Sequence, residues 1–336
     1  MEKRRERKDQ HIENYLKTSD YNDALFSDIY LDHNSLSEVN FDEIDTQVVF
    51  MGQKIAMPLM INAMTGGGEA SADINEDLSS ICKSLNIPMA VGSQTIGLAD
   101  EEARESFALI REKNLVRIGN LGAERPIDDF KEAIEMIDAH AIQVHLNVAQ
   151  ELFMPEGDKD FRGYFDNIKH LNQSLEVPII VKETGNGLSK GVSKKLIDAG
   201  IKYLDVAGTG GTNFIEIEDM RDFESDYKEF YNWGVPTSKA IIDARSLSKD
   251  VFIIGSGGIK TAVDLAKAII IGADMAALSG EALRYLLLGG YDACYDYLRE
   301  MNDRLKKVMA LLGVKNIEEL KKVDYKVTGR LKELLD

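Results

Sequence analysis

Eight short apolar runs, spaced through a single chain, constrain this sequence more than any other feature. They are Met57–Met64, Pro88–Ser93, Val116–Asn120, Ala141–Leu146, Pro178–Glu183, Tyr203–Gly208, Val251–Gly257 and Met275–Gly280. Each has the length of a strand and is too continuous for a half-exposed one, the mark of a parallel sheet covered on both faces. Successive runs start 24 to 48 residues apart, which leaves room for a strand, a helix and two loops. The intervening segments are helical by pattern: Asp128–Ala139 carries apolar residues at 130, 133, 134 and 137, close to the i, i+3, i+4, i+7 rhythm. Pro88 and Pro178 open their runs, where a missing N–H is tolerated. Eight such units predict an α/β chain folded as a (β/α)8 TIM barrel, with a doubly wound open sheet of eight strands as the alternative.

The barrel is expected over 57–336 together with C-terminal helices, Glu281–Asp336 reading as charged and amphipathic and packing on the outside. Residues 1–56 form an N-terminal extension, with Lys3, Arg4, Arg5, Arg7 and Lys8 crowded at its start. Charge-rich termini are commonly solvated, so this cluster alone is also consistent with a disordered tail. Two connections are long, Phe153–Asn172 and Thr209–Lys239. Both follow strands, on the face where barrel enzymes keep their active sites, so they read as lids or binding loops, or else as subunit contacts.

Composition narrows the function. With 40 basic against 57 acidic residues the formal charge is −17, which argues against a nucleic-acid wrapper. No window approaches 18 consecutive apolar residues, and the first fifteen have no apolar core of a secretory signal, so a cytoplasmic chain without a membrane span is expected. Cys82 and Cys294 stand far apart with no metal or redox spacing around them, and read as plain thiols in a reducing compartment.

Polar residues gather at the carboxyl ends of the runs. The first ends in Asn62-Ala63-Met64-Thr65 and three glycines, which could let backbone approach a ligand or simply make a tight turn. Ser93 closes the second run and Asn120 the third. In the fourth, Gln143, His145 and Asn147 alternate with Val144 and Leu146, so at period two the polar three share a face, and Gln150-Glu151 follow in the loop above. In the fifth, Lys182 shares a face with Ile180; a lysine within a strand is costly unless it meets an anion. The last three runs lead into Gly208-Thr209-Gly210-Gly211-Thr212, Ser256-Gly257-Gly258-Ile259-Lys260 and Ser279-Gly280, the glycine spacing of a phosphate or nucleotide cradle.

Taken together, these motifs resemble the type 2 isopentenyl diphosphate isomerases, flavin-dependent barrel enzymes of isoprenoid synthesis. The resemblance covers nearly the whole chain. It is carried by R-K-x-x-H-I from Arg7 to Ile12, I-N-A-M-T-G-G at 61–67, Q-x-H-x-N-x-x-Q-E from Gln143 to Glu151, M-P-E-G at 154–157, V-K-E at 181–183, G-G-T-N-F at 210–214 and S-G-G-I-K at 256–260. It implies FMN contacts from Ala63, Met64, Thr65, Ser93, Asn120, Lys182 and Thr212, with the flavin phosphate on Gly257, Gly258, Ile259, Lys260, Ser279 and Gly280. It further implies that Arg7, Lys8, His11, Ser93 and Gln150 bind the diphosphate substrate, that His145, Asn147, Gln150 and Lys182 serve catalysis, and that Glu151 holds Mg²⁺. NADPH as reductant and a homo-oligomer, tetramer or octamer, belong to the same implication. Three positions depart from the family pattern: Thr95, Lys260 and Gly280 stand where arginine is common.

The implied chemistry suits these residues. Moving the double bond of isopentenyl diphosphate to give dimethylallyl diphosphate adds one proton and removes another, with no net oxidation. Reduced flavin can serve as the acid–base partner, Lys182 would stabilise its anionic form near N1, and a hard carboxylate suits Mg²⁺. Three other classes use the same barrel. An FMN-dependent oxidoreductase would share the cradle, although hydroxy-acid oxidases place a histidine near the last strands and none follows His170 here. An enzyme like IMP dehydrogenase needs a cysteine on a glycine loop, which neither cysteine satisfies. A non-catalytic phosphate-binding barrel would have no use for inward His145, Asn147 and Lys182.

Overall fold

In a computed structural model, residues 2–19, 22–68, 71–112, 114–222 and 224–336 are described, without the side chains of residues 2–6, 9 and 112. Three members of the basic cluster, Lys3, Arg4 and Arg5, therefore have side chains outside the description. Each apolar run contains one strand: β1 (Leu59–Ile61), β2 (Met89–Ala90), β3 (Arg117–Gly122), β4 (Ala141–Leu146), β5 (Ile179–Glu183), β6 (Tyr203–Asp205), β7 (Phe252–Ser256) and β8 (Met275–Leu278). All pair in parallel in chain order, and β8 returns to β1, so the barrel closes. The open-sheet alternative is thereby removed.

Strand parity divides the core in two. Met60, Ala90, Ile118, Ala141, Ile180, Ile254 and Met275 fill the barrel interior, while Ile142, Val144, Val181, Leu204 and Ile253 pack outward against the helices. The interior is capped at the amino ends of the strands by a hairpin, Val48–Phe50 with Gln53–Ile55, whose Phe50 meets Phe252 at 5.3 Å between ring centroids. Both cores are almost fully buried, so truncating a residue such as Ile180 to alanine should cost about 2–5 kcal/mol. With the amino end plugged and the middle packed, open space remains only at the carboxyl ends.

The tail is more varied than its charge pattern suggests. A helix from Gly280 to Leu312, kinked at Gly290, is followed by a short helix, a strand Tyr325–Val327 and a final helix Gly329–Leu335. The strand pairs antiparallel with Ile29–Leu31, tying the tail to the N-terminal extension. Pairing partners nearly 300 residues apart leave no local signal, which is why the segment reads as helix. At the other end, residues Glu2–Tyr15 form a helix over the carboxyl face of the barrel.

Candidate active site

One cavity of about 520 Å³ opens among the carboxyl ends of the strands, within the usual size of a small-molecule site. Every residue singled out above as a contact lines it, from Arg7, Lys8 and His11 on the N-terminal helix to Ser279 and Gly280 after β8. The barrel thus brings together side chains that are more than 270 positions apart in sequence.

The floor is a set of buried polar groups. His145 and Lys182 are register partners across β4 and β5, and Lys182 pairs in turn with Asp205 on β6. Lys182 Nζ donates to the Glu183 carbonyl at 2.5 Å. Burial depresses its proton affinity, while Asp205 and then Glu183 pull it back up. Glu183 points away from the cavity and its Oε2 accepts the N–H groups of residues 184–187, which fixes the turn after β5. His145 Nδ1 lies 2.9 Å from Asn120 Oδ1. Because that oxygen only accepts, Nδ1 carries the proton and Nε2 is left as an acceptor. Burial first, then Lys182 and Lys8, push the His145 pKa down to about 3, so the ring is neutral near pH 7.

The cradle is built by glycines. Gly257 and Gly258 have φ of +99° and +74°, and a Cβ on Gly257 would stand 2.0 Å from the Gly208 carbonyl. A Cβ on Gly211 would meet the backbone nitrogen of Gly258 at 2.8 Å. Backbone packed this closely presents amides and no side chain, the surface an anion or a flat ring requires. The departure at Gly280 has a local cause: a Cβ there would lie 2.0 Å from the Tyr15 hydroxyl of the N-terminal helix.

Opposite the cradle, Glu151 Oε1 accepts from Asn147 Nδ2 and Oε2 from the Asp158 N–H, both at 2.8 Å. Glu124, Asp158 and Tyr164 line the same wall; Glu124 and Asp158 lie on loops without a periodic pattern and Tyr164 opens the helix Tyr164–Ser174, so nothing in the sequence marks the three as neighbours. Burial, and then the nearby Glu151 and Asp158, hold the Glu124 carboxyl above its ordinary range, although its own backbone and Arg125 oppose this. Among the described residues no group of three or more His, Cys, Asp or Glu side chains is arranged as a complete metal site.

The mouth is clasped from three directions. Lys8 Nζ donates to the carbonyls of Gly66 and Ser93, the latter at 2.9 Å. His11 Nε2 is 2.8 Å from a buried Glu218 oxygen, whose other oxygen is paired with Arg221. Arg221 also reaches Glu156 at 2.8 Å, and Arg7 stands 3.6 Å from the same carboxylate. The two long connections meet through Phe153, whose ring lies 4.9 Å from that of Tyr227 and 5.0 Å from that of Phe230.

The sequence profile of the FMN-dependent dehydrogenase family matches residues 12–115 and 143–326. The isopentenyl-diphosphate delta-isomerase of Geobacillus sp. (strain WCH70) is 41% identical over 330 residues, 97% of this chain and 94% of its own. That of Bacillus pumilus (strain SAFR-032) is 40% identical over 329 residues, 97% of this chain and 92% of its own. Among solved structures, a flavocytochrome b2 with pyruvate bound is similar with a TM-score of 0.70 at 18% identity, over 96% of this chain and 80% of that one. A mandelate oxidase with (S)-2-phenylpropionate is similar with a TM-score of 0.66 at 13% identity, over 91% and 88%. At such identities the two structures speak to the fold alone.

Proposed function

The chain belongs to the FMN-dependent dehydrogenase family and, within it, to the isopentenyl-diphosphate delta-isomerases, and from that premise we propose that it isomerises isopentenyl and dimethylallyl diphosphate with FMN and Mg²⁺. The observation that carries this reading is a single cavity with a glycine cradle on one side and Arg7, Lys8 and His11 on the other. A flavin phosphate suits the first side and a substrate diphosphate the second, so the reacting carbons would lie between them.

Bound reduced FMN supplies a proton donor and acceptor in place of side-chain acid and base. The chain's own residues bind, orient and exclude water. Ala63, Met64, Thr65, Ser93, Asn120 and Thr212 would border the ring, while the backbone at Gly257, Gly258, Ile259, Lys260, Ser279 and Gly280 would hold its phosphate. Lys182 would favour the reduced, anionic ring. Neutral His145, with Nε2 free to accept, would orient a hydrogen-bond donor rather than move a proton near pH 7. Asn147 steadies Glu151, and Gln150 reaches the substrate space from the same short helix.

Glu151 would serve as the one protein ligand of a divalent cation held mostly by diphosphate oxygens, as Mg²⁺ commonly is. NADPH as reductant, a cytoplasmic location and assembly into a homo-oligomer complete the proposal. Among the described residues no helix is long and apolar enough to cross a membrane.

The deciding experiment is anaerobic conversion of isopentenyl diphosphate by the purified protein with reduced FMN and Mg²⁺. Conversion is expected only with all three present, and none under those conditions would reject the reading. Glu151→Gln should lose at least a hundredfold in turnover and its Mg²⁺ dependence while keeping FMN; an unchanged Mg²⁺ titration would remove the metal role. Oxidation of a small hydroxy acid is disfavoured because no histidine follows His170 to serve near the last strands.

A further inference from the structure

Within the barrel, Lys182 has as its register neighbour on β6 a carboxylate to which the reading above gives no task. Asp205 is fully buried and stands beside Lys182 in the register of β5 and β6. Its Oδ2 accepts from Asn62 Nδ2 at 2.6 Å, and its Oδ1 from Ser256 Oγ at 2.5 Å and the Ala207 N–H at 3.3 Å. Asn62 Oδ1 accepts in turn from Gln143 Nε2 at 2.7 Å and the Ala63 N–H at 2.9 Å. One polar layer therefore crosses the barrel at the cavity floor, from Asn62 after β1 through Gln143 within β4 to Asp205 and Ser256 at the ends of β6 and β7. A carboxylate is kept ionised in such a place only by hydrogen-bond donors and positive charge.

The other charges around Lys182 do not compensate it in the same way. Glu183 spends one carboxylate oxygen on four backbone N–H groups of its own turn. His145 is neutral, and Lys8, entering from the N-terminal helix, adds a like charge to the same space. We propose that Asp205 is a positioning residue that keeps Lys182 in its ammonium form and thereby sets how strongly the protein favours reduced flavin. The lowering of Lys182 by burial, with Asp205 first among the groups that oppose it, agrees with that geometry. The inference rests on the FMN reading.

The test is a redox titration of FMN-loaded wild type, Asp205→Asn, Lys182→Met and the double variant, run side by side at neutral and alkaline pH, because a lysine lowered by burial gives up its proton more readily once its counter-charge is gone. Asp205→Asn should leave the flavin about tenfold less reduced at a fixed poise, equivalent to about 30 mV downward for a two-electron couple. Lys182→Met should do the same, and the double variant should fall no further than Lys182→Met alone. An upward or absent shift in Asp205→Asn overturns the proposal, as does a shift of equal size in the Lys182→Met background. The charge swap Asn62→Asp with Asp205→Asn returns a carboxylate to the layer with its hydrogen bond reversed. Its potential should match wild type, and this holds as the test even if Asp205→Asn alone does not fold. A swap protein that binds FMN at the Lys182→Met potential overturns the proposal. Failure of the wild type to bind FMN at all is a different result, and it removes the flavin reading itself.

Discussion

The floor and the mouth of the cavity both carry charged groups and hold them in opposite ways. At the floor, Gln143, Lys182, Asp205 and Ser256 sit on strands whose register fixes their spacing, each less than one-tenth exposed. At the mouth, the groups sit on a helix and two long connections; the Glu156 side chain is 46% exposed and its partners are long, flexible arginines. Low dielectric strengthens every interaction at the floor and makes each unpaired group expensive, whereas water screens the Glu156 side of the mouth, although Glu218 beneath it is buried. The difference teaches where tuning ends and gating begins. On the proposed function, the electronic properties of a bound ring would be set at the rigid floor, and substrate entry would be controlled where ion pairs are weak enough to break.

The largest effect that would sharpen this contrast comes from two glycines with similar backbone. Gly257 in the cradle has φ +99°, and an added Cβ would press into the Gly208 carbonyl at 2.0 Å. Gly163, in the connection after β4, has φ +86° with nothing within 4 Å of an added Cβ. Gly163→Ala should cost only backbone strain, about 1 kcal/mol, and leave FMN affinity unchanged. Gly257→Ala should cost about 3 kcal/mol or more and weaken FMN binding at least a hundredfold. Denaturant melts and FMN titration of both variants decide it, and equal behaviour of the two would erase the distinction between floor and mouth.

A second, intermediate effect reads the floor through pH. His145 titrates near 6.5 when unfolded and at about 3 when folded. The unfolded chain therefore binds the extra proton first as pH falls. The contribution is fully present above about pH 6.5 and is lost below it at up to about 1.4 kcal/mol per pH unit, until the folded group also titrates. In His145→Gln the slope of stability between about pH 6 and 4 should be shallower by one proton. An identical slope in variant and wild type would mean that His145 is solvated and that this part of the floor behaves like the mouth.

The floor was also the more legible part of the sequence. Parity along β4 and β5 placed Gln143, His145 and Lys182 on the inner face, because a strand in a closed barrel alternates without exception over five residues. The same argument applied to Tyr203-Leu-Asp-Val would have exposed Asp205, which went unremarked because aspartate near a glycine-rich turn reads as turn chemistry. Glu124 and Asp158 were not legible, since loop residues carry no period, and Tyr164, at the start of the helix Tyr164–Ser174, joins them only through the way the connections fold back together. The strand Tyr325–Val327 escaped for a related reason, its partner lying at the other end of the chain.

The smallest effect tests the mouth itself. Glu156 joins Arg221 at 2.8 Å and Arg7 at 3.6 Å, so a single carboxylate links both long connections to the N-terminal helix. Although partial burial raises its carboxyl, the Arg221 guanidinium outweighs this and holds it below the usual range, so the clasp is intact at neutral pH and lost on acidification. Exposure limits its worth to about 0.5 kcal/mol, within the range of surface pairs. Glu156→Gln should therefore raise the KM for the diphosphate substrate only about twofold, with kcat and the flavin potential unchanged, and it should remove part of the salt dependence of KM. A KM more than tenfold higher, or a shifted potential, would show that the clasp is coupled to the buried layer. Floor and mouth would then be one device, with substrate entry felt at the flavin.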